Sequence, residues 1–181
     1  MSATLNTNVV YDYVWLVNAN GSVDKLDLTG TAVTGAVGIA GTASTRGGVA
    51  FDSTGDVWSV TSANNILNFV VTAGTGATAY SGGGLSTPVF VAVDGAGMIW
   101  AANSGNDSVS EFTNAGVAQS GTSGYGSSTL SGPSQVNIDN TGGVWVSNKT
   151  GSSLTHIFGA ATPVISPTAA AVTNGTTGQK P

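Results

Sequence analysis

The sequence predicts an all-β fold of the β-propeller class, with four blades of about 43 residues that each contain four antiparallel strands. A short phrase, apolar residues followed by Asp, a Gly-containing turn and Trp, recurs at 49–58, 91–100 and 136–145, with a shortened copy at 9–15. The four tryptophans occupy one place in that phrase, at steps of 43, 42 and 45 residues. A period of about 40 to 50 residues with strand-like content is typical of propeller blades.

The third repeat shows the predicted order of strands within a blade. Its first strand ends at Asp94, and an Asp closely followed by Gly predicts a tight turn. The second strand, 98–102, is apolar on both faces, as expected for a sheet packed between two neighbouring sheets. The third strand, 109–112, alternates in polarity, and the fourth is predicted near 117–119.

The repeat divides the chain into blades at about 8–45, 46–87, 88–132 and 133–170, which together form one domain over residues 1–170. Pro88 and Pro133 stand at the start of first strands, where proline removes no donor from the ladder. Residues 171–181 are rich in Thr, Asn and Gly and are predicted to form a flexible tail.

The composition excludes several classes of partner. Charged residues make up 7% of the chain, the net charge is −5, and the fixed cations are Lys25, Arg46, Lys149 and Lys180. Nucleic-acid binding needs several phosphate contacts from Lys or Arg, so we expect none. No stretch approaches the roughly 20 apolar residues of a membrane span, so we expect no membrane insertion. Cysteine is absent, which excludes disulfides and thiolate metal sites.

The low charge also favours an extracellular or cell-envelope location, because Gly, Ser, Thr, Ala and Asn supply the surface in place of charged residues. The first residues lack the basic and apolar segments of a signal peptide. We therefore expect that a secreted form would carry its signal outside this chain.

Residues 91–109 resemble the NHL-repeat propellers and their streptogramin-lyase-like branch, with weaker copies over 9–158. The matching segment reads Val-Ala-Val-Asp-x-x-Gly-x-Ile-Trp-x-Ala-Asn-Ser-Gly-Asn-Asp-Ser-Val, where x is any residue. The segment 159–167 is similar to the end of the last blade in secreted bacterial members. The resemblance implies the fold and leaves the function open, since such propellers include enzymes, binding modules and scaffolds.

Four blades raise the question of how the ring closes. An arc of four blades would leave two apolar faces open, which a soluble monomer does not tolerate. Two arcs related by a twofold axis could close an eight-bladed ring. A compact four-bladed monomer and a piece of a longer propeller are the alternatives. We expect a homo-oligomer, with a dimer favoured.

One end of the propeller is predicted to carry the ligand face. The Asn-rich loops between second and third strands meet there with the returns from each outer strand to the next inner strand. Asn, Tyr and Arg side chains suit hydroxyl-rich ligands, although turn geometry alone also explains Asn and Gly in such loops. The predicted ligand-binding residues are Arg46, Asn64, Asn65, Tyr80, Asn103, Asn106, Tyr125 and Asn148.

His156, the only histidine, is the single catalytic candidate, because the resemblance implies a histidine acid–base group in streptogramin lyases. Its place in the third strand is aligned with Lys25, Asn68 and Glu111, which predicts an exposed polar position. A lone histidine does not supply the His-plus-carboxylate metal arrangement that the resemblance implies. No catalytic residue, metal site or cofactor is therefore assigned.

The repeated Asp and Trp residues are interpreted as structural. In every blade a carboxylate is expected to close the turn between first and second strands, at Asp12, Asp52, Asp94 and Asp139. The indoles are expected to pack between blades, at Trp15, Trp58, Trp100 and Trp145.

Three functional hypotheses follow. The leading one is a non-catalytic binding or assembly module with a glycan or protein ligand. The alternatives are a streptogramin-lyase-like enzyme with metal-assisted elimination and a self-assembling propeller fragment.

Overall fold

The computed structural model describes residues 13–17, 22–27, 29–33, 39–40, 46–63, 65–70 and 77–164. Within these ranges the chain forms fourteen β-strands and no helix, which confirms the predicted all-β class. No helix that could cross a membrane occurs in this part of the chain. The strands form four antiparallel sheets, one for each sequence repeat.

The strands follow the chain from sheet to sheet without crossing. The first sheet contains β1 (Tyr13–Val17), β2 (Ser22–Asp27) and β3 (Ile39–Ala40). The second contains β4 (Arg46–Phe51), β5 (Val57–Thr61), β6 (Ile66–Val70) and β7 (Ala77–Tyr80). The third contains β8 (Pro88–Val93), β9 (Ile99–Asn103), β10 (Ser108–Phe112) and β11 (Tyr125–Gly126). The fourth contains β12 (Pro133–Ile138), β13 (Val144–Asn148) and β14 (Ser153–Ile157).

The outer strands differ from the prediction. In the third sheet the fourth strand is β11, and the predicted segment 117–119 forms a single bridge from Ala118 to Phe112. Residues 113–117 make a tight turn closed by the Thr113 hydroxyl, so the chain passes through this bridge before β11. The first and fourth sheets each have three strands within the described residues, and the start of the first repeat, residues 9–12, lies outside them.

The repeated Asp residues close the first turn of the blade, as predicted, at three of the four positions. In the second sheet Asp52 Oδ1 accepts hydrogen bonds from the backbone N–H groups of Thr54 and Asp56, both at 3.0 Å. Its other oxygen accepts the indole N–H of Trp58 at 3.1 Å, which explains why Asp precedes Trp by six residues. Asp94 and Asp139 form the same turn, and Asp12 lies outside the described residues.

Each internal junction packs the tryptophan of one sheet against the second strand of the next sheet. Because side chains alternate along a strand, residues on either side of the tryptophan face the preceding sheet. The buried pairs are Trp15 with Val57, Trp58 with Ile99, and Trp100 with Val144. We call the tryptophan side of a sheet its forward face and the opposite side its backward face.

The inner strands β4, β8 and β12 lie side by side at the centre of the arc. Two glycines let β4 approach β8 closely: a Cβ at Gly47 would overlap the Val89 carbonyl, and one at Gly48 would overlap the Phe90 ring. This close approach brings the loops at one end of the second sheet near the loops at the same end of the third sheet.

Candidate functional site

The two predicted loop sets do meet at one end of the sheets, which we call the loop face. Strand register fixes this, because the first residue of each inner strand pairs with the last residue of the second strand. The pairs are Arg46 with Thr61, Pro88 with Asn103, and Pro133 with Asn148. Arg46 therefore begins its strand at the same end of the blade as the two prolines, as the alignment of the repeats predicts.

A cleft of about 380 Å³ opens on the loop face between the third and fourth sheets. Val89 and Pro133 form its apolar part, and Lys149, which is exposed, contributes an ammonium group. Hydroxyl side chains complete the lining: Ser104, Ser134 and Thr150, with Gly132 beside them. These groups can donate and accept hydrogen bonds to hydroxylated ligands and can attract an anionic one.

Two predicted ligand-binding residues, Asn103 and Asn148, are buried beneath the loop face. The amide of Asn103 donates to the hydroxyls of Ser108 at 3.0 Å and Ser110 at 2.8 Å. Asn148 donates to the hydroxyl of Thr155 at 2.9 Å and to the carbonyl of Thr129 at 3.1 Å. The amide of Asn103 joins β9 to β10, and that of Asn148 joins β13 to β14 and to the return from the third sheet.

Asn65 and Asp107 form hydrogen bonds between sheets. Asn65 Oδ1 accepts the backbone N–H of Thr87 at 2.6 Å, and Asp107 Oδ1 accepts that of Gly132 at 2.7 Å. Both residues have a left-handed backbone, with φ of 52°. Ser152 occupies the matching place in the fourth sheet, with φ of 45°.

Asn106 is a further predicted ligand-binding residue that lies on the loop face, beside the returns that contain Gly84 and Ser123. Its amide donates to the carbonyls of Gly84 at 3.2 Å and Ser123 at 3.3 Å, while its side chain remains exposed. Asn64 lies outside the described residues.

Tyr80 and Tyr125 lie near the loop-face ends of the outer strands, because they pair with Leu67 and Val109, each one residue from the loop-face end of its strand. The sequence places them in returns between blades, but they end β7 and begin β11, the outer strands. Their rings pack beside tryptophans of their own sheets, Tyr80 at 6.0 Å from Trp58 and Tyr125 at 6.1 Å from Trp100. The predicted site is therefore divided between the loop face and the forward faces of two sheets.

His156 lies on the forward face of the fourth sheet, half-buried rather than exposed as predicted. Its ring stacks on Trp145 at 3.8 Å with an interplanar angle of 6°, and Phe158 packs on it at 3.9 Å. His156 Nε2 is 3.8 Å from Oδ2 of Asp139, which also accepts the Trp145 indole N–H at 2.7 Å. The hydrogen bonds from Thr141 and Trp145 hold the pKa of the Asp139 carboxyl far below its ordinary value.

The alignment of the third strands is wrong by one residue in the second blade. Cross-strand partners of the tryptophans are Lys25, Phe69, Glu111 and His156, so Phe69, not Asn68, matches the histidine. Asn68 is buried and donates to the Thr61 hydroxyl at 2.8 Å. A shift of one residue moves a side chain to the other face of a strand. Among the described residues no three His, Cys, Asp or Glu side chains are grouped to hold a metal ion.

The forward face of the fourth sheet is open to solvent. Leu154 is 60% exposed, whereas its counterparts Val23, Leu67 and Val109 are at most 3% exposed. Phe158, on the same face, is 83% exposed.

The backward face of the first sheet is also open. Val14 and Leu16 are 48% and 42% exposed, whereas the counterparts of Val14 are fully buried: Val57, Ile99 and Val144. The two ends of the arc thus present the same kinds of surface that pack against each other at every internal junction.

A scan against protein-family models finds no match, and neither does a search of curated proteins. Solved structures do match. A catalytically inactive virginiamycin B lyase from Staphylococcus aureus with quinupristin is 18% identical, with a TM-score of 0.69, over 87% of this chain and 54% of that one. A streptogramin B lyase is 15% identical, with a TM-score of 0.55, over 82% and 63%.

A putative gluconolactonase is 16% identical, with a TM-score of 0.56, over 80% of this chain and 48% of that one. These similarities confirm the predicted β-propeller fold and its likeness to the streptogramin-lyase-like propellers. The chain spans about half the length of the virginiamycin B lyase structures that it matches.

Proposed function

We propose that this chain is a non-catalytic propeller module, secreted or envelope-associated, that completes its ring by pairing with a second copy. The observation that carries the proposal is the pair of open end faces. Positions that are at most 3% exposed at internal junctions are 42% to 60% exposed at the ends. An apolar patch of this kind on a soluble protein marks an interaction surface.

The second copy is the occupant that the chemistry of the faces favours. The open forward face offers Trp145 and Leu154, and the open backward face offers Val14 and Leu16. At the junction of the second and third sheets, Trp58 and Leu67 pack in the same way on small and branched apolar residues. A forward face of one copy therefore fits the backward face of another.

Two such contacts related by a twofold axis would close a ring of eight sheets. Each contact would remove several apolar side chains from water, and a fully buried Leu or Val contributes about 1.5–3 kcal/mol. A head-to-tail contact that closes on itself gives a finite ring rather than a filament. In such a ring the loop face of each copy would carry one cleft around Lys149, which we propose as the site for a hydroxylated or anionic ligand.

Light scattering on a sizing column tests the pairing. We expect the wild-type chain to have twice its mass of 17.7 kDa and Leu154→Glu, which places a charge on the open face, to have the single mass. Val117→Glu is the matched control, because Val117 is 58% exposed but lies in an outer turn of the third sheet. A folded wild-type monomer at about 100 µM, or a dimer that survives Leu154→Glu, would contradict the proposal.

The similarity to lyases favours a second candidate, an elimination enzyme that uses His156 and Asp139. The 3.8 Å separation of their side chains is the observation in its favour. Incubation with quinupristin, the compound present in the similar structure, tests it directly. Turnover that is lost in His156→Gln supports this candidate, and turnover that persists in that variant removes the histidine mechanism.

A further inference from the structure

A second cleft, of about 260 Å³, lies on the forward face of the third sheet, away from the residues of the loop-face cleft. Trp100, Glu111 and Tyr125 of the third sheet form one wall. Ile157 and Ala160, from β14 and the segment that follows it, form the other. The cleft is internal to the arc, so the pairing of end faces leaves it unchanged.

The second sheet shows how this cleft arises. There the same three positions hold Trp58, Phe69 and Tyr80, and the Phe69 ring fills the space at 4.6 Å from the indole. The tyrosine-to-tryptophan separation is nearly the same in both sheets, 6.0 Å and 6.1 Å. In the third sheet Glu111 replaces the phenylalanine, so a carboxylate faces two aromatic rings where the second sheet has a third ring.

The carboxylate keeps capacity for a ligand. Tyr125 donates its hydroxyl hydrogen to Glu111 Oε2 at 2.7 Å, and Oε1 has no hydrogen-bond partner within the described residues. Burial of Tyr125, its hydrogen bond to Glu111 and the charge of Glu111 together raise the pKa of Tyr125 to about 12. The phenol of Tyr125 therefore remains a neutral donor at neutral pH.

The indole of Trp100 is an unsatisfied donor. In the second and fourth sheets the tryptophan donates to the turn aspartate, but here Asp94 Oδ2 accepts the backbone N–H of Thr162 at 2.8 Å. Trp100 Nε1 is buried and has no hydrogen-bond partner in the described structure. A buried donor without a partner is costly, and a ligand oxygen could satisfy it.

We propose that this cleft binds a small organic cation, an alkylated ammonium compound that also carries a hydrogen-bond acceptor. Aromatic faces attract a cation through their quadrupole, and more strongly when it is desolvated. Glu111 adds an opposite charge, and Trp100 Nε1 adds a donor for the acceptor group. The net charge of −5 favours the approach of a cation over that of an anion.

Choline and its neutral carbon isostere, 3,3-dimethylbutan-1-ol, are the probes that separate charge from shape. We expect isothermal titration to show choline bound about tenfold more tightly than the isostere. We also expect Glu111→Gln to weaken choline binding by about tenfold, because the amide keeps the shape and loses the charge. The indole N–H resonance of Trp100, assigned with Trp100→Phe, should shift on addition of choline.

Asp56→Asn is the control, because it removes the same charge from the second sheet, away from the cleft. It should leave choline affinity within about twofold, since salt screens the interaction between distant charges. Equal affinities for choline and the isostere, or equal losses in the two variants, would overturn the proposal. So would the absence of choline binding by a wild-type protein with a native circular-dichroism spectrum.

Discussion

The junction between the second and third sheets and the open face of the fourth sheet are built from the same residue types in opposite surroundings. Leu67 is fully buried under the third sheet, whereas Leu154, at the same place in the repeat, is 60% exposed. Each sheet of a repeat protein buries its apolar face against a neighbour. Because the sequence repeats, the two end sheets carry apolar residues at the same positions as the internal sheets. Their outward faces therefore resemble faces that pack against another sheet.

The largest expected effect compares these two leucines. Leu67→Ala should lower the free energy of unfolding by about 2–5 kcal/mol, because it leaves a cavity in a closed core. Leu154→Ala should cost under about 0.5 kcal/mol at concentrations where the chain is monomeric, because water already covers the side chain. Urea denaturation followed by circular dichroism measures both. Equal losses in dilute protein would show that Leu154 is covered within one chain.

The fold could be predicted because two strong local signals repeat in register. Asp52 and Trp58 are joined by a side-chain hydrogen bond, so their six-residue spacing reports a turn and the strand after it. The outer strands carry no such signal. Tyr125 and Gly126 form a strand of two residues, and the more strand-like Val117 belongs to a turn closed by Thr113.

The candidate site was harder to predict, because a polar residue at the end of a strand can point into the sheet or out to ligand. Asn103 is fully buried and bonded to its own sheet, while Asn106, three residues later, is exposed. Both stand in one Asn-rich segment, and composition does not separate them. The cleft also contains Ser104, Lys149 and Thr150, which stand outside the predicted ligand-binding set because that set consists of Asn, Tyr and Arg side chains.

A second prediction concerns the turn aspartates at an internal junction and at the open end. Asp52→Ala should cost about 1–3 kcal/mol, because it leaves the fully buried indole N–H of Trp58 without an acceptor. Asp139→Ala should cost less, because the half-buried Trp145 lies on the open face, where water can replace the carboxylate. Urea denaturation at pH 7 ranks the two variants, and the reverse order would contradict the comparison.

The dependence of stability on acid pH tests the Asp52 carboxylate. Partial burial opposes ionisation of Asp52, but the hydrogen bonds from Thr54 and Trp58 outweigh it, so the pKa of Asp52 lies below its ordinary value of 3.8. Stability from this group is present above about pH 4 and is lost as pH falls through the lower, folded-state pKa. Asp52→Asn should therefore flatten the loss of stability below pH 4, by about as much as expected for one titrating group.

The smallest expected effect compares the left-handed residues that end the loops, Asn65 at an internal junction and Ser152 at the open end. Glycine suits a left-handed backbone, so Asn65→Gly and Ser152→Gly relieve the same strain and add the same chain entropy. Only Asn65→Gly also removes the hydrogen bond from Thr87 of the next sheet. We expect it to be about 0.5–1.5 kcal/mol less stable than Ser152→Gly in urea denaturation.

Asp107→Gly repeats this comparison at the next junction, because it removes the hydrogen bond from Gly132. Two junction variants that are both less stable than Ser152→Gly would show that loop-to-sheet hydrogen bonds contribute to every closed junction. Equal stabilities in all three variants would mean that the junctions are held by apolar packing alone. The difference between interior and end would then reside entirely in the sheet faces.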